Sequence, residues 1–288
     1  MTRSPIVYLL FLFSGITALV YEVVWTRMLT LAFGHTVFSV SIVLAAFMAG
    51  LGLGSYFSGH VIDYPGGNQS DKGLSEGFGA PSLLLIYGWI EILLFFSCSI
   101  VSLILFKFST VYSWLSFFIP DFWAIQNVVK SLLAFALMSA PAFLMGATLP
   151  IISKYYITDK TTLDSRLGVI YGINTLGAAF GCLLTGFFLI ANFGILQTVL
   201  GAALMNLFVG VSAIRIYQEV RKTNQGLRFP HFAMPTLAWG QQQRIWLVVS
   251  FVCGFTALAY EVLWTRLLIF STSSTVYAFS MMLGVFLI

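Results

Sequence analysis

Charge is what this sequence has least of. Only 8% of its 288 residues are Asp, Glu, Lys or Arg, and it holds just three histidines and three cysteines. Soluble domains carry about 25% charged residues, so a water-facing globular surface cannot be built from this supply. Cys98, Cys182 and Cys253 lie far apart within apolar segments, without metal-ligand spacing, and read as buried small hydrophobes. No Gly-rich loop between strand and helix, no Walker sequence, no paired carboxylates in a soluble segment and no Cys/His cluster occurs, so nothing marks a soluble active site or a cofactor. Gly66-Gly67-Asn68 reads as a turn, and His35 has no second ligand nearby. The net charge of +4 is small and lies mostly in connections, so it reports topology and does not point to nucleic acid.

What is present is apolar: 59% hydrophobic residues, 16% aromatic, and a mean hydropathy of +0.95. This composition is that of a polytopic membrane protein. Stretches long enough to cross a bilayer fall near 5–33, 36–60, 82–106, 124–150, 166–191, 194–216, 244–270 and 273–288. The eighth reaches the last residue with no polar flank, from which we expect a piece of something longer. With the N-terminus inside, the inner connections hold Arg3, Lys72, Lys154, Lys160, Arg166, Arg215, Arg221, Lys222, Arg228 and Arg244, and the outer ones only Lys107. That asymmetry predicts a cytoplasmic N-terminus. Residues 109–119, with Tyr112, Trp114, Phe117 and Phe118, form a short amphipathic stretch expected in the outer interface.

The first span contains a glutamate and an arginine, and its sequence returns near the end. Gly15-Ile16-Thr17-Ala18-Leu19-Val20-Tyr21-Glu22-Val23-Val24-Trp25-Thr26-Arg27-Met28-Leu29 recurs as Gly254-Phe255-Thr256-Ala257-Leu258-Ala259-Tyr260-Glu261-Val262-Leu263-Trp264-Thr265-Arg266-Leu267-Leu268. Matches continue into the following span, where Thr36, Val37, Ser41, Leu44 and Phe47 recur as Thr275, Val276, Ser280, Leu283 and Phe286. Two helices have been duplicated, and a removable signal peptide would not be repeated so deep in the chain. Six helices separate the copies, so both enter the membrane in the same direction, as between the halves of major-facilitator-type transporters; the alternative is a duplication that merely enlarges a bundle. This divides the chain into a six-helix membrane half (1–216), a basic cytoplasmic linker (217–243) and two helices of a second, truncated half (244–288).

Charge inside a bilayer is costly and demands a partner. Glu22 and Arg27 are about 140° apart around one helix, so reciprocal pairs across the halves, Glu22 with Arg266 and Glu261 with Arg27, are the arrangement to expect. The alternative is that Arg27 and Arg266 snorkel to the headgroups. Glu91 in the third span suits either a proton- or cation-coupled role or a bond to a neighbouring helix. Gly50 to Gly59 repeats small residues that let helices approach. Pro141, Gly146 and Pro150 predict a helix break that frees carbonyls, with a simple kink as the alternative. Asn174 and Thr175 sit beside a small-residue face suited to interhelical bonds or a polar cavity.

Taken together, Gly15 to Arg27, Gly50 to Asp63, Met145-Gly146-Ala147-Thr148-Leu149-Pro150 and Tyr171 to Ala178 resemble the membrane region of the fused major-facilitator-like/spermidine synthase-like family. The resemblance implies an all-α transporter-like bundle preceding a cytoplasmic aminopropyltransferase-like domain. That domain's Gly-rich and acidic segments are absent here, so no transferase activity carries over to these residues. The expected function is a small-solute or polyamine transport or presentation module with a cavity near Glu22, Glu91 and Asn174, in a bacterial inner membrane. The alternative is a non-catalytic scaffold or accessory subunit. The expected partners are the lipid bilayer and a larger membrane complex or a fused or associated soluble domain.

Overall fold

The structure, a computed structural model, describes residues 5–34, 36–63, 80–117, 122–156, 163–223 and 241–287. The described residues are helical throughout, without a strand: α1 (Ile6–Phe33), α2 (Thr36–Asp63), α3 (Ala80–Phe106), α4 (Phe108–Ser116), α5 (Trp123–Tyr156), α6 (Leu163–Leu184), α7 (Ile190–Thr223), α8 (Gln241–Thr272) and α9 (Thr275–Leu287). A five-residue π-helical turn, Thr185–Leu189, joins α6 to α7. Among the described residues, six helical runs are long and apolar enough to cross a membrane: Ile6–Phe33, Val37–Val61, Ser82–Phe106, Ala124–Tyr156, Arg166–Lys222 and Leu247–Thr272. A backbone can sit in hydrocarbon only when its own hydrogen bonds satisfy it, so these helices make the chain an integral membrane protein.

The spans expected at 166–191 and 194–216 form one apolar run, interrupted where Gly194 takes φ 77° and ψ 178°. That conformation is open to glycine alone. The span expected at 273–288 is represented by the 13 residues of α9, about 20 Å of helix against a core of about 30 Å. The linker expected at 217–243 is shorter, because α7 continues to Thr223 and α8 begins at Gln241. His35 and the turn at Gly66-Gly67-Asn68 lie outside the described residues, as does the remainder of that linker. The amphipathic stretch is α4; Tyr112 turns inward, with Lys130 Nζ 4.5 Å from its ring centroid, while Trp114 and Phe117 are exposed.

The expected break at Pro141, Gly146 and Pro150 does not occur, since α5 runs through both prolines. Pro150 has no N–H, so the carbonyl four residues earlier, that of Gly146, loses its helical donor. Ser55 Oγ of α2 supplies the replacement at 2.8 Å. The freed carbonyl thus ties two helices together. Around this bond α2 and α5 are in backbone contact: any side chain at Gly54 would strike Phe143, and one at Gly146 would strike Leu51.

At the centre is α1, which packs on α6, α7, α2 and α3. Its residues Tyr21, Val24, Trp25 and Leu29 are sealed in the interior. It ends at Gly34, whose φ of 73° lets its N–H close onto Thr30 O at 3.0 Å. The duplicated helix α8 ends in the same way at the equivalent Ser273, φ 51°, with its N–H on Ile269 O at 3.0 Å.

Candidate functional site

The duplicated helices carry the site. Glu22 on α1 and Glu261 on α8 are both buried, and in each copy a threonine one turn on, Thr26 or Thr265, returns its hydroxyl to the glutamate's own backbone carbonyl at 2.8 Å. The two carboxyls lie within electrostatic reach of one another. Cys182 of α6 is within reach of both and donates to Ser280 O of α9 at 3.5 Å. Four helices therefore bring polar groups to one place in an apolar cluster that includes Val23, Val40, Phe279 and Met282. Glu22 Oε1, Glu261 Oε1 and Ser280 Oγ are all buried there without a hydrogen-bond partner.

The reciprocal ion pairs expected between the copies are not formed. Among the described residues no ion pair joins Glu22, Arg27, Glu261 or Arg266; Arg27 Nη1 reaches Thr275 Oγ1 at 3.4 Å, and Arg266 is exposed. The physical reason lies in spacing along the helix: Glu22 and Glu261 lie within reach of one another, and each Arg lies five residues, about 7.5 Å, farther along its own helix.

Glu91 on α3 belongs to a second polar cluster, on another face of α1. It is wholly buried beside the hydroxyls of Ser14 and Tyr87, yet neither carboxyl oxygen has a partner in hydrogen-bonding geometry. Tyr21 and Cys98 lie close by. One helical turn farther along, Trp25 Nε1 donates to Ser102 Oγ at 2.7 Å, which locks α1 to α3.

Asn174 and Thr175 do not join Glu91. Asn174 of α6 stands against Gly15, about 100° around α1 from Ser14, and Thr175 is half-buried, its hydroxyl donating to Tyr171 O at 2.9 Å. The two described cavities also lie elsewhere. Both open beside the end of α1 and the Gly194 break, and neither is lined by Glu22, Glu91 or Asn174. Cys98 and Cys182 are buried as expected, but Cys253 is exposed, because the face of α8 that carries it is uncovered.

Sequence reading missed Cys182, Ser14, Tyr87 and Asn206 as site-forming groups. Asn206 of α7 is buried with both amide atoms unpartnered, and its only signal was an amide within an apolar run. Ser280 carried a clearer one, since it repeats Ser41. Among the described residues, no group of three or more His, Cys, Asp or Glu side chains is arranged to hold a metal ion.

No family model, no curated protein and no solved structure matches the chain. Two buried carboxyls without a cation partner among the described residues favour a proton or a cation as the compensating charge.

Proposed function

We propose that this chain is the membrane region of a spermidine synthase-like protein, and that it moves or presents a small cationic solute where its duplicated helices meet. The carrying observation is the proximity of Glu22 to Glu261, two buried carboxyls from equivalent positions that form no ion pair among the described residues. A protonated amine is the chemistry such a pair complements, and a polyamine is the amine that the resemblance implies. Because both groups are buried, a solute reaches them only when α1 parts from α8 or α9, as expected of a bundle that opens and closes around an enclosed site.

The architecture that goes with this reading is a six-helix half followed by the opening helices of a second, related to the first by a pseudo-two-fold axis along the membrane normal. Reciprocal contacts, α1 on α9 and α2 on α8, support it, as do the matching turns at Gly34 and Ser273. In this reading the Gly194 break divides two crossings and the N-terminus lies in the cytoplasm of a bacterial inner membrane, an orientation that the Lys and Arg distribution favours. The test of function is uptake of radiolabelled spermidine into proteoliposomes. Saturable uptake that is lost in Glu22→Gln and Glu261→Gln supports the proposal, and flux equal to that of empty vesicles refutes it.

One observation favours a second reading, a scaffold or accessory subunit of a larger membrane complex. Tyr21 and Trp25 are 0% exposed in α1, whereas their equivalents on α8, Tyr260 and Trp264, are 57% and 47% exposed. A face composed to be buried by helices is here uncovered, which suits a chain that packs against further helices. Blue-native electrophoresis of the protein in mild detergent separates the two readings: migration with a larger complex, together with no spermidine flux, favours the scaffold.

A further inference from the structure

The charge that does not serve the glutamate site is Arg27, and it has a place of its own. A cavity of about 540 Å³ lies where the end of α1 meets α3 and the Gly194 break, with Arg27 and Gln197 as its polar walls. Leu31, Phe106 and Ile195 line it and also line a neighbouring cavity of about 120 Å³, so the two form one groove with its cation at one side. Arg27 is half-buried there; its one described bond is the long contact to Thr275 Oγ1, and no carboxylate pairs with it among the described residues. A guanidinium partly withdrawn from water and left without an anion is costly.

We propose that this groove binds an anionic amphiphile, with a phosphate or carboxylate group on Arg27 and an apolar chain along Leu31, Phe106 and Ile195. The apolar walls argue against a small hydrated anion, which would have to give up its water to dry surfaces. Arginine is the cation suited to such a group, since its planar fork engages two oxygens at once. The position also fits: Arg27 lies six residues, about 9 Å, before the end of α1, at the depth where the hydrocarbon gives way to headgroups in a helix of this length. The same chemistry has two sources, a membrane phospholipid or a free anionic solute.

Native mass spectrometry of the whole purified chain distinguishes them. With phosphatidylglycerol as the probe, the wild type should retain bound lipid at least about tenfold better than Arg27→Gln, Arg27→Lys should keep part of the binding, and phosphatidylcholine should be retained weakly. Leu31→Trp, which fills the groove and leaves the cation in place, should also lose the lipid. Inorganic phosphate at millimolar concentration should not compete. Equal retention by wild type and Arg27→Gln, equal retention of the two lipids, or displacement by free phosphate would each overturn the proposal. A circular dichroism melt shows that each variant is folded, so loss of binding cannot be confused with loss of structure.

Discussion

Glu22 and Glu261, equivalent residues of a duplicated helix, bury their carboxyls within electrostatic reach of one another. Like groups placed together without a counter-ion oppose the fold that holds them. Replacing either by glutamine keeps the shape and removes the ionisable group. In buffer free of polyamines we expect Glu22→Gln to fold normally and to gain about 1 kcal/mol, a rise in Tm of about 2–4 °C. A fall of that size in differential scanning fluorimetry would show that the carboxyl is tied to a partner.

Glycine in the two copies makes a paired test. A side chain at Gly15 would collide with the backbone carbonyl of Asn174, while at Gly254 it would meet nothing within 4 Å. Gly15→Ala should therefore cost about 1–3 kcal/mol through forced separation of α1 from α6. The same change at Gly254 should be neutral or stabilise by up to about 1 kcal/mol, the helical preference of alanine. Melts of the two single variants decide the matter.

Helices α1 to α3 and the run through α5 were legible because apolar length is all that a membrane span requires. Packing was less so. Pro150 suggests a break, but Ser55 lies far away in sequence, and nothing near residue 150 announces that it would supply the missing donor. The arginines invited pairing with the glutamates because charge inside a membrane seeks charge. What the sequence pattern did not weigh was spacing along the helix, which puts Arg27 beside Thr275 and not beside Glu261. The second polar cluster was hidden for another reason: Ser14, Tyr87 and Glu91 look unremarkable one at a time and meet only after α1 and α3 pack.

The bond from Trp25 Nε1 to Ser102 Oγ, at 2.7 Å, is the shorter of two described hydrogen bonds between those helices, the other running from Tyr87 Oη to Leu10 O at 3.4 Å. Ser102→Ala leaves a buried indole N–H without an acceptor and should cost about 1 kcal/mol. Trp264→Phe, the equivalent position on the uncovered face of α8, should move stability by less than about 0.5 kcal/mol. If both substitutions cost the same when measured by thermal unfolding, the face of α8 is covered.

At the end of α8, Ser273 adopts the left-handed conformation that glycine takes at the equivalent Gly34. Side chains resist this geometry by about 1 kcal/mol. Ser273→Gly should raise stability by up to that amount, and Gly34→Ser should lower it, in matched unfolding experiments.

The measurement that bears most directly on the central claim is the thermal stability of the purified chain with and without spermidine, at constant ionic strength. A ligand that binds the folded state at one hundred times its Kd stabilises by about 2.7 kcal/mol. We expect the wild type to show a saturable rise in Tm of several degrees, and the double variant Glu22→Gln/Glu261→Gln to show none. An absence of stabilisation in the wild type, or an equal rise in the double variant, would contradict a cationic solute at the paired glutamates.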